Sequence, residues 1–173
     1  MARGVQVGDK APDFTLPSQA GEPVRLQDRL GERVVVLYFY PKDNTTGCTA
    51  EACAFRDSYE SFADAGAEVI GVSSDSADRH AGFASKHRLP FTLLADQGGR
   101  VRKAYGVPAT FGLIPGRVTY VIDRTSSTAL GSRSTGCLRC VWMARAASGM
   151  NRVSCTAPRR ASCLPSGCPI TAL

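Results

Sequence analysis

The chain has 173 residues, with Lys+Arg 21 against Asp+Glu 15 and a formal net charge of +6. That length suits one domain with a substantial core. The first residues hold no apolar signal core, and the longest apolar run has the length of a strand. These features argue against an exported or membrane-spanning chain and set the expectation of a soluble, cytoplasmic protein.

In chain order, Gly21 marks a turn, and Val24 to Leu30 reads as a strand end followed by a helical turn. Val34 to Tyr40 is short, β-branched and aromatic, the pattern of a buried strand. From Ala50 to Ala65, apolar residues (Ala52, Phe55, Tyr59, Phe62, Ala63) recur at helical spacing, with Gly66 as the stop. Glu68 to Ser73 is a second buried strand. An Asp75/Ser76 cap then opens an amphipathic helix of roughly three turns ending near His87. Pro90-Phe91 begins an extended segment through Leu94, and Val101, Ala104 and Tyr105 mark a short helix. Gly106 to Gly116 reads as a loop and Val118 to Asp123 as a strand. Strands alternating with helices predict an α/β domain with a mixed sheet.

The stretch Pro41-Lys42-Asp43-Asn44-Thr45-Thr46-Gly47-Cys48 joins the first buried strand to the long helical segment. Backbone N–H groups at a helix start lack intrahelical partners and carry partial positive charge, so they stabilise a thiolate and depress the thiol's pKa. Cys48 is therefore the candidate nucleophile. Thr45, three residues earlier, carries a hydroxyl able to donate to or accept from the reacting atoms, and Pro41 fixes φ and removes a competing N–H. The competing reading of a lone helical cysteine is a small buried hydrophobe. His80 and His87 read as members of a solvated helix face. Phe39, Tyr40, Phe55 and Tyr59 read as core and pocket wall.

Pro41, Thr45 and Cys48 match the Pro-x-x-x-Thr-x-x-Cys signature of peroxiredoxins, and Phe39-Tyr40-Pro41-Lys42 is similar to the same family. Cys53, five residues after Cys48, further resembles the PrxQ, or bacterioferritin comigratory protein, subfamily, and Val7 to Leu16 resembles the family's opening. The resemblance covers residues 7–124. It implies a thioredoxin-like fold, a mixed sheet flanked by helices, and a thiol peroxidase reducing hydrogen peroxide and organic hydroperoxides. In that reading Cys48 becomes a sulfenic acid and condenses with Cys53 to a disulfide, which thioredoxin or a similar dithiol reductant recycles. The resemblance also assigns Arg117, at the start of the last predicted strand, to the reactive sulfur, where its charged head stabilises a thiolate and binds a peroxide oxygen. It implies a monomer and neither metal nor other cofactor.

Composition changes abruptly at Arg124. Residues 1–124 balance 15 basic against 15 acidic side chains, whereas 125–173 hold six arginines, no lysine and no acid, so this tail carries the whole excess charge. It also holds five of the seven cysteines: Cys137, Cys140, Cys155, Cys163 and Cys168. We therefore draw a peroxiredoxin domain at 1–124, lacking the family's last strand and helix, and a Ser/Arg/Cys-rich tail at 125–173. The tail reads as disordered or as the product of an altered reading frame. Zinc binding by its cysteines and phosphate contact by its arginines are alternatives, but the cysteine spacing and the lack of a reading motif speak against both. No nucleic-acid or membrane partner is expected. An inactive or destabilised peroxiredoxin-like interaction protein is the alternative reading of the whole chain.

Overall fold

The computed structural model describes residues 4–110 and 114–132. A short antiparallel hairpin, β1 (Thr15–Pro17) and β2 (Pro23–Arg25), precedes a 3₁₀ turn at Gln27–Arg29. The chain then alternates: β3 (Val34–Phe39), helices α1 (Thr46–Asp57) and α2 (Tyr59–Asp64), β4 (Ala67–Ser73), α3 (Ala77–His87), β5 (Thr92–Ala95) and α4 (Arg100–Ala104). After a second hairpin, β6 (Ala109–Thr110) with β7 (Ile114–Pro115), come β8 (Val118–Ile122) and β9 (Thr128–Ser132). The main sheet has the order β5-β4-β3-β8-β9. Its first three strands are parallel, and β8 and β9 are added antiparallel, so the sheet is mixed as expected.

The central strand β3 shows why the fold is layered. Side chains alternate across a strand. Val35, Leu37 and Phe39 enter one core with Leu26, Ile70, Tyr105 and Tyr120, while Val36 and Tyr38 enter another with Phe55, Phe83 and Leu93. Both faces of β3 are buried, which accounts for its unbroken apolar run. Tyr40 and Cys48 belong to the second core, beneath α1.

The sequence predicts one helix over 50–65, and the structure has two. α1 ends at Ser58 (φ −105°, ψ 5°) and α2 begins at the next residue, with no proline or glycine to announce the break. Gly66 stops α2 with φ +69°, the left-handed conformation that glycine adopts without cost. The loop predicted over 106–116 contains the β6–β7 hairpin.

Beyond Arg124 the structure has a strand where the sequence predicts none. The Asp123 carboxylate accepts from the backbone N–H of Thr125 (2.9 Å) and of Ser127 (2.8 Å), closing a turn with Ser126 at φ +69°. The chain returns as β9, paired antiparallel with β8. The N-terminal segment pins it further: Gly8 N–H donates to the Thr128 carbonyl and Thr128 N–H to that of Asp9, at 2.8 and 2.9 Å. The rest of the tail, with Cys137, Cys140, Cys155, Cys163 and Cys168 and the region where a closing helix was judged missing, lies outside the described residues. No described helix is long and apolar enough to cross a membrane.

Candidate active site

The β3–α1 connection carries the residues singled out from the sequence. Thr45 occupies the N-cap of α1 in an extended conformation (φ −84°, ψ 147°), and the first intrahelical bond runs from Thr49 N–H to the Thr45 carbonyl at 2.9 Å. Cys48 is therefore in the first turn, where backbone amides have no partner within the helix. It is 2% exposed, and its thiol is unpaired with any other cysteine. Cys53 lies five residues further on the same helix, half-buried and also free.

Arg117 comes from the other side of the sheet centre, directly before β8, which pairs with β3 through Val118 and Phe39. That pairing carries its guanidinium to the mouth of α1, where Nη2 donates to Cys48 Sγ at 3.3 Å. The contact sets a permanent positive charge and a hydrogen-bond donor against the sulfur. Gly47 makes the approach possible, because a Cβ there would lie 2.6 Å from Arg117 Nη2 and 3.0 Å from Nη1. The Thr45 hydroxyl, expected to be able to reach the reacting atoms, is engaged within its own loop. Its Oγ1 donates to the Lys42 carbonyl at 3.3 Å, and it makes no side-chain cap bond to α1. Pro41 follows Tyr40, whose carbonyl accepts from Arg102 Nη2 at 2.7 Å. The structure thus joins Cys48 and Arg117 directly and places Pro41, Thr45 and Cys53 on the same loop and helix.

Glu51 is felt by Arg117, and Tyr38 by Cys48, electrostatically. Burial pushes the Glu51 carboxyl above its ordinary 4.5 while Arg117 pulls it back. Burial holds the Tyr38 phenol well above its ordinary range, and Glu51, Asp43 and Cys48 push it the same way. Its ring stacks on Phe55 at 4.6 Å between centroids, so Tyr38 forms a neutral apolar floor beneath α1.

The connecting loop is fixed by residues that the sequence reading left aside. The helix pattern predicts a solvated face for His80, yet the ring is fully buried, with Nδ1 2.7 Å from Asp43 Oδ2. Asp43 Oδ1 accepts from Tyr40 Oη at 2.7 Å, and Asp43 N–H donates to Asp75 Oδ2 at 2.7 Å. The sequence signal was faint: an acid in the loop and an imidazole in a helix 37 residues later, joined only by the fold. His87 is half-buried at the end of α3, against Phe83. Among the described residues, no three His, Cys, Asp or Glu side chains gather to hold a metal.

The profile of the AhpC/TSA family matches residues 7–127. The chain belongs to that family. Within it the similarity is to peroxiredoxin Q: the chloroplastic peroxiredoxin Q of Sedum lineare is 58% identical over 121 residues, covering 69% of this chain and 64% of that protein. The corresponding protein of Arabidopsis thaliana is 58% identical over the same length, 56% of its own chain. The chain thus spans a little over half the length of these curated relatives. Among solved structures, peroxidoxin BcpB of Mycobacterium tuberculosis superposes with a TM-score of 0.70 at 39% identity, over 75% of this chain and 86% of that one. This agreement supports the thioredoxin-like fold expected from the sequence.

Proposed function

We propose that the protein is a thiol peroxidase that reduces hydrogen peroxide and organic hydroperoxides through Cys48. The single observation that carries this reading is the Arg117 guanidinium on Cys48 Sγ at the first turn of α1. The Cys48 thiolate attacks one peroxide oxygen and the O–O bond breaks. The sulfur keeps that oxygen as sulfenic acid, and the departing hydroxide or alkoxide takes a proton from solvent. The charge that develops on the leaving oxygen is met by the guanidinium and the free first-turn amides. The Cys53 thiol then attacks the sulfenic sulfur, expelling water and forming a disulfide. A dithiol protein of the thioredoxin type returns both thiols and leaves as its own disulfide.

Cys48 and Cys53 sit on one helix. In a regular helix their Cα atoms stand about 8.6 Å apart and about 140° round the axis, beyond the roughly 7 Å a disulfide tolerates. Oxidation therefore unwinds the start of α1. Arg56 Nη1 donates to the His87 carbonyl at 2.9 Å, anchoring the far end of α1 to α3 and confining the unwinding to the first turns.

Peroxide consumption with thioredoxin and its reductase tests the function. Turnover is expected from the native chain and from neither Cys48→Ser nor Cys53→Ser, with a single equivalent of peroxide still consumed by Cys53→Ser. Equal turnover by Cys48→Ser contradicts the assignment. A monomer and a cytoplasmic location belong to the same proposal. Light scattering and cell fractionation check them, with the chloroplast named by the plant relatives as the alternative compartment.

A further inference from the structure

We propose that His80 and Asp43 form a positioning pair that holds the Cys48 loop in its reactive geometry, an inference that rests on the peroxidase reading above. The pair is wholly buried, and the ring sits on α3, outside the loop and helix that carry Cys48. The Asp43 carboxylate accepts at both oxygens, from Tyr40 Oη and from His80 Nδ1, which places the imidazole proton on Nδ1. His80 Nε2 is buried without a hydrogen-bond partner among the described residues. An apolar side chain of similar size fills that space without the desolvation cost of an orphaned nitrogen. The useful atom of His80 is therefore Nδ1, and its bond ends on the loop.

The remaining ties show what this bond controls. Asp43 N–H reaches Asp75 Oδ2 at 2.7 Å, Lys86 Nζ of α3 reaches Asn44 Oδ1 at 3.4 Å, and Asn44 itself is held at φ +59°. Arg102 Nη2 fixes the Tyr40 carbonyl on the other side of Pro41. The loop is thus clamped at Tyr40, Asp43 and Asn44, directly ahead of Thr45, whose conformation starts α1 and aims its first-turn amides. Releasing Asp43 from α3 frees the segment that sets where Cys48 meets Arg117.

The test compares His80→Asn, whose amide nitrogen takes the place of Nδ1, with His80→Gln, whose amide nitrogen reaches the Nε2 position instead. Two rates are read on each folded variant: oxidation of Cys48 by hydrogen peroxide, and alkylation of Cys48 by iodoacetamide, which needs the thiolate but no peroxide chemistry. Loss of a hydrogen bond to a charged partner corresponds to about a tenfold effect at least. We expect that fall in both rates for His80→Gln and near-native rates for His80→Asn, although both replace the ring. Equal rates in the two variants overturn the proposal, because a purely structural histidine shows no preference for Nδ1. Should His80→Gln fail to fold, Asp43→Asn is read in its place, and an unchanged rate there overturns the pair equally. A native chain that alkylates at Cys48 but consumes no peroxide refutes the peroxidase reading, while the order of the variants in the alkylation assay still decides this proposal.

Discussion

Replacing Gly47 with alanine isolates the contribution of Arg117 without touching a charged group. The added Cβ would lie 2.6 Å from Nη2, 3.0 Å from Nη1 and 3.2 Å from Cζ of Arg117, all closer than carbon and nitrogen tolerate. The guanidinium is the far end of a flexible side chain, so it yields, retreating by about 1.2 Å and lengthening its 3.3 Å contact with Cys48 Sγ to roughly 4.5 Å. At an effective dielectric of about 20, attraction between unit charges drops from about 5 to about 3.7 kcal/mol over that change. The difference of about 1.3 kcal/mol corresponds to about a tenfold fall in the oxidation rate. Alanine also favours helix over glycine by up to about 1 kcal/mol, so the fold should hold or gain stability. Stopped-flow oxidation by hydrogen peroxide at neutral pH, beside thermal melting, separates the two effects. A slower but equally stable variant is expected. A variant as fast as the native chain would show that the Arg117–Cys48 contact does not set the reactivity.

Other perturbations follow from the same structure. Gly82, in α3, has open space where a Cβ would go, so Gly82→Ala should raise thermal stability by about 1 kcal/mol with unchanged peroxide kinetics; a melting temperature below native contradicts this. At Gly71 a Cβ would lie 2.7 Å from Tyr38 Oη, Tyr38 Cζ and Leu93 Cδ2, and Gly71→Ala should cost about 1–3 kcal/mol in denaturant unfolding. The Glu51 carboxyl, raised above 4.5 by burial, binds its proton more tightly folded than unfolded. Its contribution to stability is therefore present below 4.5 and lost as pH rises through the folded value. Glu51→Gln should lack that decline, and parallel stability–pH curves for the two proteins would refute it. Amide exchange over residues 46–55 should quicken in the Cys48–Cys53 disulfide form and stay slow in the reduced form; equal protection argues against local unwinding.

Local chemistry was legible where function and spacing coincide. Pro41, Thr45 and Cys48 lie within one turn-and-helix segment, and the apolar run of β3 announced the strand ahead of them. Arg117 was placed through resemblance alone, since nothing in its immediate surroundings shows that β8 pairs with β3. His80 was misread because Asp78, Arg79 and Lys86 give α3 a polar aspect, while the partner that makes burial tolerable, Asp43, is remote in sequence. β9 escaped notice because its turn is built from the Asp123 side chain, and its pairing is a backbone affair that leaves little alternation in the sequence. The break between α1 and α2 was hidden because apolar spacing runs on through Ser58. The Thr45 hydroxyl turns to the Lys42 carbonyl because that acceptor lies within the same short loop.

The most direct test of the central claim treats the reduced protein with limiting hydrogen peroxide and maps oxidised peptides by mass spectrometry. The account predicts a Cys48–Cys53 disulfide in the native chain, a Cys48 sulfenic acid in Cys53→Ser, and a far slower reaction in Arg117→Ala. Oxidation that proceeds at the native rate in Arg117→Ala, or that falls on other cysteines before Cys48, would contradict it.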